Sequence, residues 1–358
     1  MTVLGIMAGS SMDGLDLAKV KFLLNEEGDA LADWSLEQTQ IIDYDEHVRN
    51  AISRSQVSEA QDLLTLNVDF ARWSAEKLRP FTDGVDLVGF HGHTVYHYPK
   101  RGFSFQLGHG AVLAESLQRS VVVDFRVNDI AVGRAGAPMV SISEKYLWPG
   151  YDAYLNLGGI CNISYFDQGA LLGSYDIGPC NQLLNHIAGL ESKPYDDGGQ
   201  MGAEGIIRSD LLKAWYSNRY FERGEAEKSL DNSWIRDQII PVLNDFNAYD
   251  TADKMRTAQQ FVTDIIHQSC ADIKGKLKKD NLRLLISGGG VHNSFLLSLI
   301  RSSLFLEVHT PSDQIIDFKE AVMIAHAACL RYWELPNFLP RDAKPPVSGG
   351  AIYLSKFW

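Results

Sequence analysis

A chain of 358 residues, 45% of them apolar and 22% charged, has ordinary globular composition and is long enough for two hydrophobic cores. Its net charge of −12 argues against nucleic acid or an anionic membrane as the main partner, but not against a nucleotide, which needs only a local site. No apolar run reaches transmembrane length, no basic residue opens a signal peptide, and four cysteines without a CxxC pair read as reduced thiols of a cytoplasmic protein.

The chain opens on an apolar strand that runs into GIMAGSSMDGLD at 5–16. Apolar alternation resumes at Leu15, Leu17, Val20 and Phe22, so the stretch reads as strand, turn, strand. Glycines let backbone N–H groups approach an anion and hydroxyls add donors, which suits phosphate; an ordinary polar hairpin tip is the alternative. The P-loop pattern fails. Gly9 and Gly14 have its separation, but Leu15 stands where its lysine must be and no helix signal follows. WSLEQTQIIDY reads as a further strand. The segment 50–81 reads as helical, with Leu63, Leu64, Leu66, Val68, Phe70 and Trp73 recurring at helical spacing. VDLVGFHGHTVYHY is a buried strand and a glycine turn, FSFQLGHG a strand, AVLAESLQ a helix and SVVVDFR a strand.

From residue 150 a second cycle begins. YDAYLNLGGICNISYFDQGALLGSYDIG reads strand, glycine turn, strand, turn, strand, and CNQLLNHIAGL follows as a helix. The middle, about 200–280, reads as helical, its longest segment closing on lysines suited to a helix C-terminus. LRLLISGGG is a buried strand ending in glycines, NSFLLSLIRSSL and KEAVMIAHAACLRYW are helices, and LPNFLPRDAKPPVSGG is a loop. Both halves open with a glycine turn between strands, MAGSSMDG and LGGICN, which is a weak internal repeat. Two such α/β halves facing each other would set both turns across a cleft fit for a nucleotide.

Four small-residue turns each follow an apolar strand: GSSMDGLD at 9–16, NLGGICN at 156–162, DIGPCN at 176–181 and SGGGVHN at 287–293. Converging on one ligand, they would supply donors for an ATP phosphate tail. They occur in order with HGHTVYHYP at 91–99, FQLG at 105–108, DFRVNDIAVGRAGAPMVS at 124–141, YDDGGQMGAEG at 195–205 and the pair Glu320–Ala321. In these motifs the chain resembles, nearly end to end, the anhydro-N-acetylmuramic acid kinases of the sugar kinase, heat-shock protein 70 and actin superfamily.

The resemblance implies an α/β protein of two actin-like (ribonuclease H-like) domains. Each would be a mixed five-stranded sheet flanked by helices, with an ATP cleft between them. The first would hold 1–122 and the tail from about 336 to 358, the second 123–335. It implies a cytoplasmic enzyme of peptidoglycan recycling that uses ATP and water to open a 1,6-anhydro ring and phosphorylate O6. Asp176 matches the general base that deprotonates the water. Gly9, Ser10, Ser11, Met12, Asp13, Gly14, Leu15 and Asp16 match the phosphate loop. Gly158, Gly159, Asn162, Gly288, Gly289, Gly290 and Asn293 match the other ATP-binding turns. Arg126, Asp129 and Glu320 match positions near the sugar. Mg²⁺ is implied, bound largely through phosphates and waters with a carboxylate nearby, and no residue is assigned as its ligand. The partners implied are ATP and a small amino sugar, with no nucleic acid and no membrane; the family is often dimeric.

Without the resemblance, Asp176 reads as a turn cap, Arg126 with Asp129 as an ion pair, and Glu320 as a first-turn helix carboxylate. His91, His93 and His97 suggest a metal, but Gly92 and Pro99 make this a turn region and no carboxylate follows at ligand spacing. Departures from the family pattern gather near the expected acceptor sugar. They are Cys180 for a glycine, Ile177 for a threonine, Asn185 for an aspartate, Arg134 within a glycine loop, and EKSLDNSW at 227–234. Cys180 would be strained if its φ were positive. These changes leave two other readings open: a kinase of the same fold for another sugar, and a catalytically weak nucleotide-binding protein.

Overall fold

An apolar run gives β1 (Thr2–Ala8) and apolar alternation gives β2 (Gly14–Leu24), paired antiparallel with Ala8 opposite Leu15. Leu4, Ile6, Leu15 and Leu17 thereby share one buried face. The computed structural model describes residues 1–9, 12–26, 31–137, 139–230, 232–339 and 345–355. They fall into two compact units, Met1–Pro149 with Phe318–Trp358, and Gly150–Asp317.

In the first unit β3 (Leu31–Asp43) extends the sheet antiparallel to β2. On the other side β4 (Leu87–Phe90) lies parallel to β1. The chain then leaves the sheet for a two-stranded ribbon, β5 (His93–Tyr98) and β6 (Phe103–Leu107), before β7 (Ser120–Val123) returns parallel to β4. The parallel strands are buried on both faces, so they read as continuous apolar runs such as Val121–Val122–Val123.

The second unit repeats this connectivity. β8 (Ala153–Leu157), β9 (Ile160–Asp167) and β10 (Ala170–Pro179) form an antiparallel meander, and β11 (Leu282–Ser287) and β12 (Leu306–His309) add in parallel. The order β10-β9-β8-β11-β12 matches β3-β2-β1-β4-β7, so the repeat suspected from two glycine turns is a repeat of whole sheets. The core here is built on helix Thr251–Leu277, whose Met255, Phe261, Val262 and Ile266 are buried. The stretch before it is less regular than expected: short helices Gln200–Glu204 and Ser209–Tyr216 give way to 3₁₀ and π turns up to Phe246.

Two expectations need correction. The first sheet has six strands among the described residues, because β13 (Ala351–Tyr353) of the tail pairs antiparallel with β7. Asn337 folds the tail back: its Oδ1 accepts from Gly349 N (2.7 Å) and its Nδ2 donates to Gly349 O (2.8 Å). The first unit also runs past 122 to Pro149 and resumes at Phe318 rather than 336. Long-range contacts fix this. Trp34 Nε1 donates to Leu147 O (3.0 Å), Lys319 bonds Glu144 (2.9 Å), and fully buried His326 meets Ser143 Oγ (3.0 Å). Among the described residues no helix is long and apolar enough to cross a membrane, and all four cysteines are free and buried.

Candidate active site

The β1–β2 turn is the tip of the expected phosphate loop. Its Ser10 and Ser11 lie outside the described residues. Leu15 is fully buried in the core, and a Cβ on Gly14 would press on the Ile42 carbonyl of β3. Both therefore serve packing rather than offering a side chain to a nucleotide. Half-buried Gly9, Met12 in the left-handed region (φ 57°), exposed Asp13 and half-buried Asp16 remain at the loop. The Asp13 carbonyl accepts from Tyr44 N (2.9 Å), and Asp16 lies close enough to Tyr44 to help burial raise that phenol's pKa.

Arg126 does not pair with Asp129. Its Nε donates to His91 Nε2 (3.0 Å) and its Nη1 to Gly136 O (2.8 Å). Asp129 is buried, with Oδ2 accepting from Gly136 N (2.9 Å) and Oδ1 facing Arg134 Nη1 (3.4 Å). The Asp129 carboxylate thus clamps the 129–136 loop. Arg134, foreign to the family pattern, also donates to Pro345 O (2.8 Å) and so ties the tail to that loop. Glu320 sits on the long helix Asp313–Tyr332, more than a turn from its start, which removes the first-turn reading. It reaches solvent, yet the protein crowded around its carboxyl holds it above the usual carboxylate value, against the pull of Lys319 and Arg126. Burial lowers Arg126 to about 10, opposed by Glu320, so it stays charged at neutral pH.

The three histidines of HGHTVYHYP hold these pieces together. His91 is buried between Arg126 and the Gly92 carbonyl (2.9 Å). His93 lies near the Gly9 carbonyl, and His97 meets Ser104 Oγ (3.0 Å) and lies near the Ala135 carbonyl. All three lie below the ordinary histidine value, chiefly through burial. Among the described residues no three histidine, cysteine or carboxylate side chains gather as a metal site.

Buried histidines give a pH prediction. Burial lowers both His91 and His326 to about 3. As pH falls below about 6.5 the unfolded chain takes up these protons and the folded chain does not, so stability is lost, by about 2 kcal/mol per group at pH 5. Urea unfolding at pH 7 and pH 5 should show a drop smaller by about that amount in His326→Phe than in the wild type. Equal drops would contradict it.

In the second unit Asn156, Asn162 and Asp176 face one another across β8, β9 and β10, so their side chains line one face. Asp176 sits at a bulge on the edge strand, and the 220–230 segment grips it at three points. Tyr220 Oη donates to the Asp176 carbonyl (2.7 Å), Asp176 N donates to Lys228 O (3.3 Å), and Leu230 N donates to Asp176 Oδ2 (2.8 Å). Lys228 and Leu230 of EKSLDNSW thus lie directly on the expected base. Cys180 has φ −143°, so the positive φ that would have favoured glycine there is absent.

The Gly158 and Gly159 carbonyls accept from N–H groups of Cys180, Asn181 and Gln182 (3.1 Å each), so this turn caps the helix Asn181–Gly189. Gly288 (φ 87°) allows close approach to Asn156 Oδ1 and the Leu157 carbonyl. Gly289, Gly290 and Asn293 instead line a cavity of about 410 Å³, with Asn181, Asn185, Tyr195 and Asp196. Asn293 Oδ1 also caps the helix Ser294–Arg301 by accepting from Leu296 N (2.9 Å). Asp196 is buried and accepts from Met201 N (2.8 Å), Gly202 N (3.1 Å) and Gln259 Nε2 (3.1 Å), which fixes the cavity's far wall. The sequence offered no role for Asp196 of YDDGGQMGAEG, nor for His91 of HGHTVYHYP as a partner of Arg126. Their signal was the motif itself.

A sheet of one connectivity, repeated in a single chain and flanked by helices, places this protein in the actin-like class of α/β folds. A profile of the anhydro-N-acetylmuramic acid kinase family matches residues 1–355. Proteins named anhydro-N-acetylmuramic acid kinase from Zymomonas mobilis, Methylorubrum extorquens and Rhodopseudomonas palustris are 28%, 31% and 31% identical to this chain. The matches cover 99%, 98% and 98% of it and 100%, 98% and 99% of theirs. The chain belongs to the anhydro-N-acetylmuramic acid kinase family.

Proposed function

We propose that this protein is an ATP-dependent kinase that hydrolytically opens 1,6-anhydro-N-acetylmuramic acid and phosphorylates O6, giving N-acetylmuramic acid 6-phosphate. The observation that carries the mechanism is Asp176, half-buried on a bulged edge strand with its backbone and Oδ2 held by the 220–230 segment. A carboxylate fixed in this way suits a general base, which must meet its proton within hydrogen-bond reach. Asp176 takes a proton from water, whose oxygen bonds to the anomeric carbon. The C1–O6 bond breaks, O6 receives the γ-phosphoryl group, and ADP leaves.

The cavity lined by Gly289, Gly290 and Asn293 is of a size for a nucleoside, and the β1–β2 turn with Gly9 and Asp13 is the proposed phosphate contact. Phosphoryl transfer itself asks mainly for positioning and charge neutralisation. Mg²⁺ fits this donor set as an ion carried by phosphates and waters, with Asp13 or Asp16 as the nearby carboxylate. Bound there, it would supply charge neutralisation on the phosphates. Arg126 and Glu320 are proposed at the sugar. The net charge and four free thiols suit work on small molecules in the cytoplasm.

The test is product analysis by mass spectrometry with ATP, Mg²⁺ and the anhydro sugar in ¹⁸O-labelled water. A phosphorylated product carrying one solvent oxygen is expected. No product from folded, ATP-binding protein would reject this acceptor and turn the search to other sugars.

A further inference from the structure

We infer that His91 is a positioning residue: it sets the orientation of Arg126 without neutralising it, leaving the guanidinium charge for an anionic group of the acceptor sugar. The inference rests on the reading of Arg126 as a substrate residue.

The hydrogen bonds leave one arrangement. The Gly92 carbonyl can only accept, so His91 Nδ1 carries the hydrogen (2.9 Å). Its Nε2 is then a lone pair, and Arg126 Nε, which can only donate, points at it (3.0 Å). His91 N donates to Ile6 O of β1 (3.0 Å), which anchors the ring to the sheet. The second brace on Arg126 is also neutral, the Gly136 carbonyl at 2.8 Å. Gly136 is itself held by Asp129, whose charge is matched by Arg134. Among the described residues Arg126 Nη2 makes no hydrogen bond and no carboxylate lies within ion-pair distance of Arg126.

A carboxylate could orient a guanidinium equally well but would cancel its charge. Two neutral acceptors fix the planar fork and leave both its charge and one Nη edge for a ligand. A planar fork with a free edge matches a carboxylate or phosphate group, and only in the orientation the braces impose.

The experiment compares His91→Leu, His91→Gln, Arg126→Lys and the double variant His91→Leu with Arg126→Lys. It reads kcat, KM for the anhydro sugar, KM for ATP and thermal stability for each. His91→Leu should raise the sugar KM about tenfold or more with the ATP KM within about twofold. His91→Gln, whose amide can accept from Arg126 and donate to Gly92, should recover to within about threefold. The double variant should be no worse than Arg126→Lys alone, because His91 acts only through Arg126. Additive effects, or equal rises in both KM values for His91→Leu, would overturn the inference. Should leucine prevent folding at this buried position, His91→Gln against His91→Asn carries the same contrast, since only the longer amide spans the ring's reach. If Arg126→Lys leaves both KM values unchanged, the reading of Arg126 fails and the inference falls with it, while ring opening in the product assay still stands.

Discussion

Exchange of Asp176 for asparagine is expected to lower kcat/KM for the anhydro sugar by about 10³-fold, with a melting temperature within about 2 °C of the wild type. The substitution separates the two roles open to this residue. Asparagine caps turns as well as aspartate does, and its side-chain oxygen can still accept from Leu230 N, which now reaches Asp176 Oδ2 at 2.8 Å. It cannot take a proton from water. If Asp176 merely closes the turn after β10, the variant should therefore work nearly as well as the parent. If it is the base, the loss should appear in kcat as well as kcat/KM, and the solvent-oxygen-bearing product should vanish on the assay timescale. Activity retained within tenfold would remove Asp176 from the mechanism.

Gly5→Ala is expected to destabilise the protein by about 3 kcal/mol, a large share of the stability of an ordinary domain. Gly5 lies in β1 beneath the helix Asp313–Tyr332, and an added Cβ would press on the Ala321 carbonyl and the Ala325 amide. Those are helix backbone atoms, so no side-chain rotation relieves the contact. Gly89 in β4 meets the same helix at Ala328 Cβ and the Ile324 carbonyl. Small residues on both partners let the helix settle close to the sheet, which also fixes Glu320 beside Ala321. The check is a shift in the urea midpoint at unchanged slope. Gly224→Ala is the control, since a Cβ there meets nothing within 4 Å; it should change stability by no more than about 0.5 kcal/mol. A neutral Gly5→Ala would mean the helix is not seated on β1 in this way.

Much of the fold is legible where local pattern and burial coincide. β2 shows the alternation of a strand with one less buried face, β1 and β8 read as apolar runs because both their faces are buried, and the glycine turns mark where the chain reverses. β12 has no clear signature in the sequence, because its four residues at the sheet edge are only partly buried or exposed and leave little alternation to read. β13 has none either, because three residues in a proline-rich tail become a strand only when β7 offers an edge and Asn337 folds the tail back. The helix carrying Glu320 begins at Asp313, ahead of the KEAVMIAHAACLRYW segment, and its first turn already buries Ile315 and Ile316.

The candidate site divides in the same way. Sequence alone pointed to the family and to the turns after each strand, and put forward Asp176, Arg126 and Glu320 as candidates through the motifs that hold them. It could not say what each side chain touches. Asp129 becomes a clamp for Gly136, Leu15 a core residue, Gly14 and Gly288 points of close backbone approach, and His91 the partner of Arg126 only once distant segments meet. Whether a polar side chain faces a ligand or a neighbouring loop depends on which backbone groups burial leaves unpaired around it, and only tertiary packing decides that.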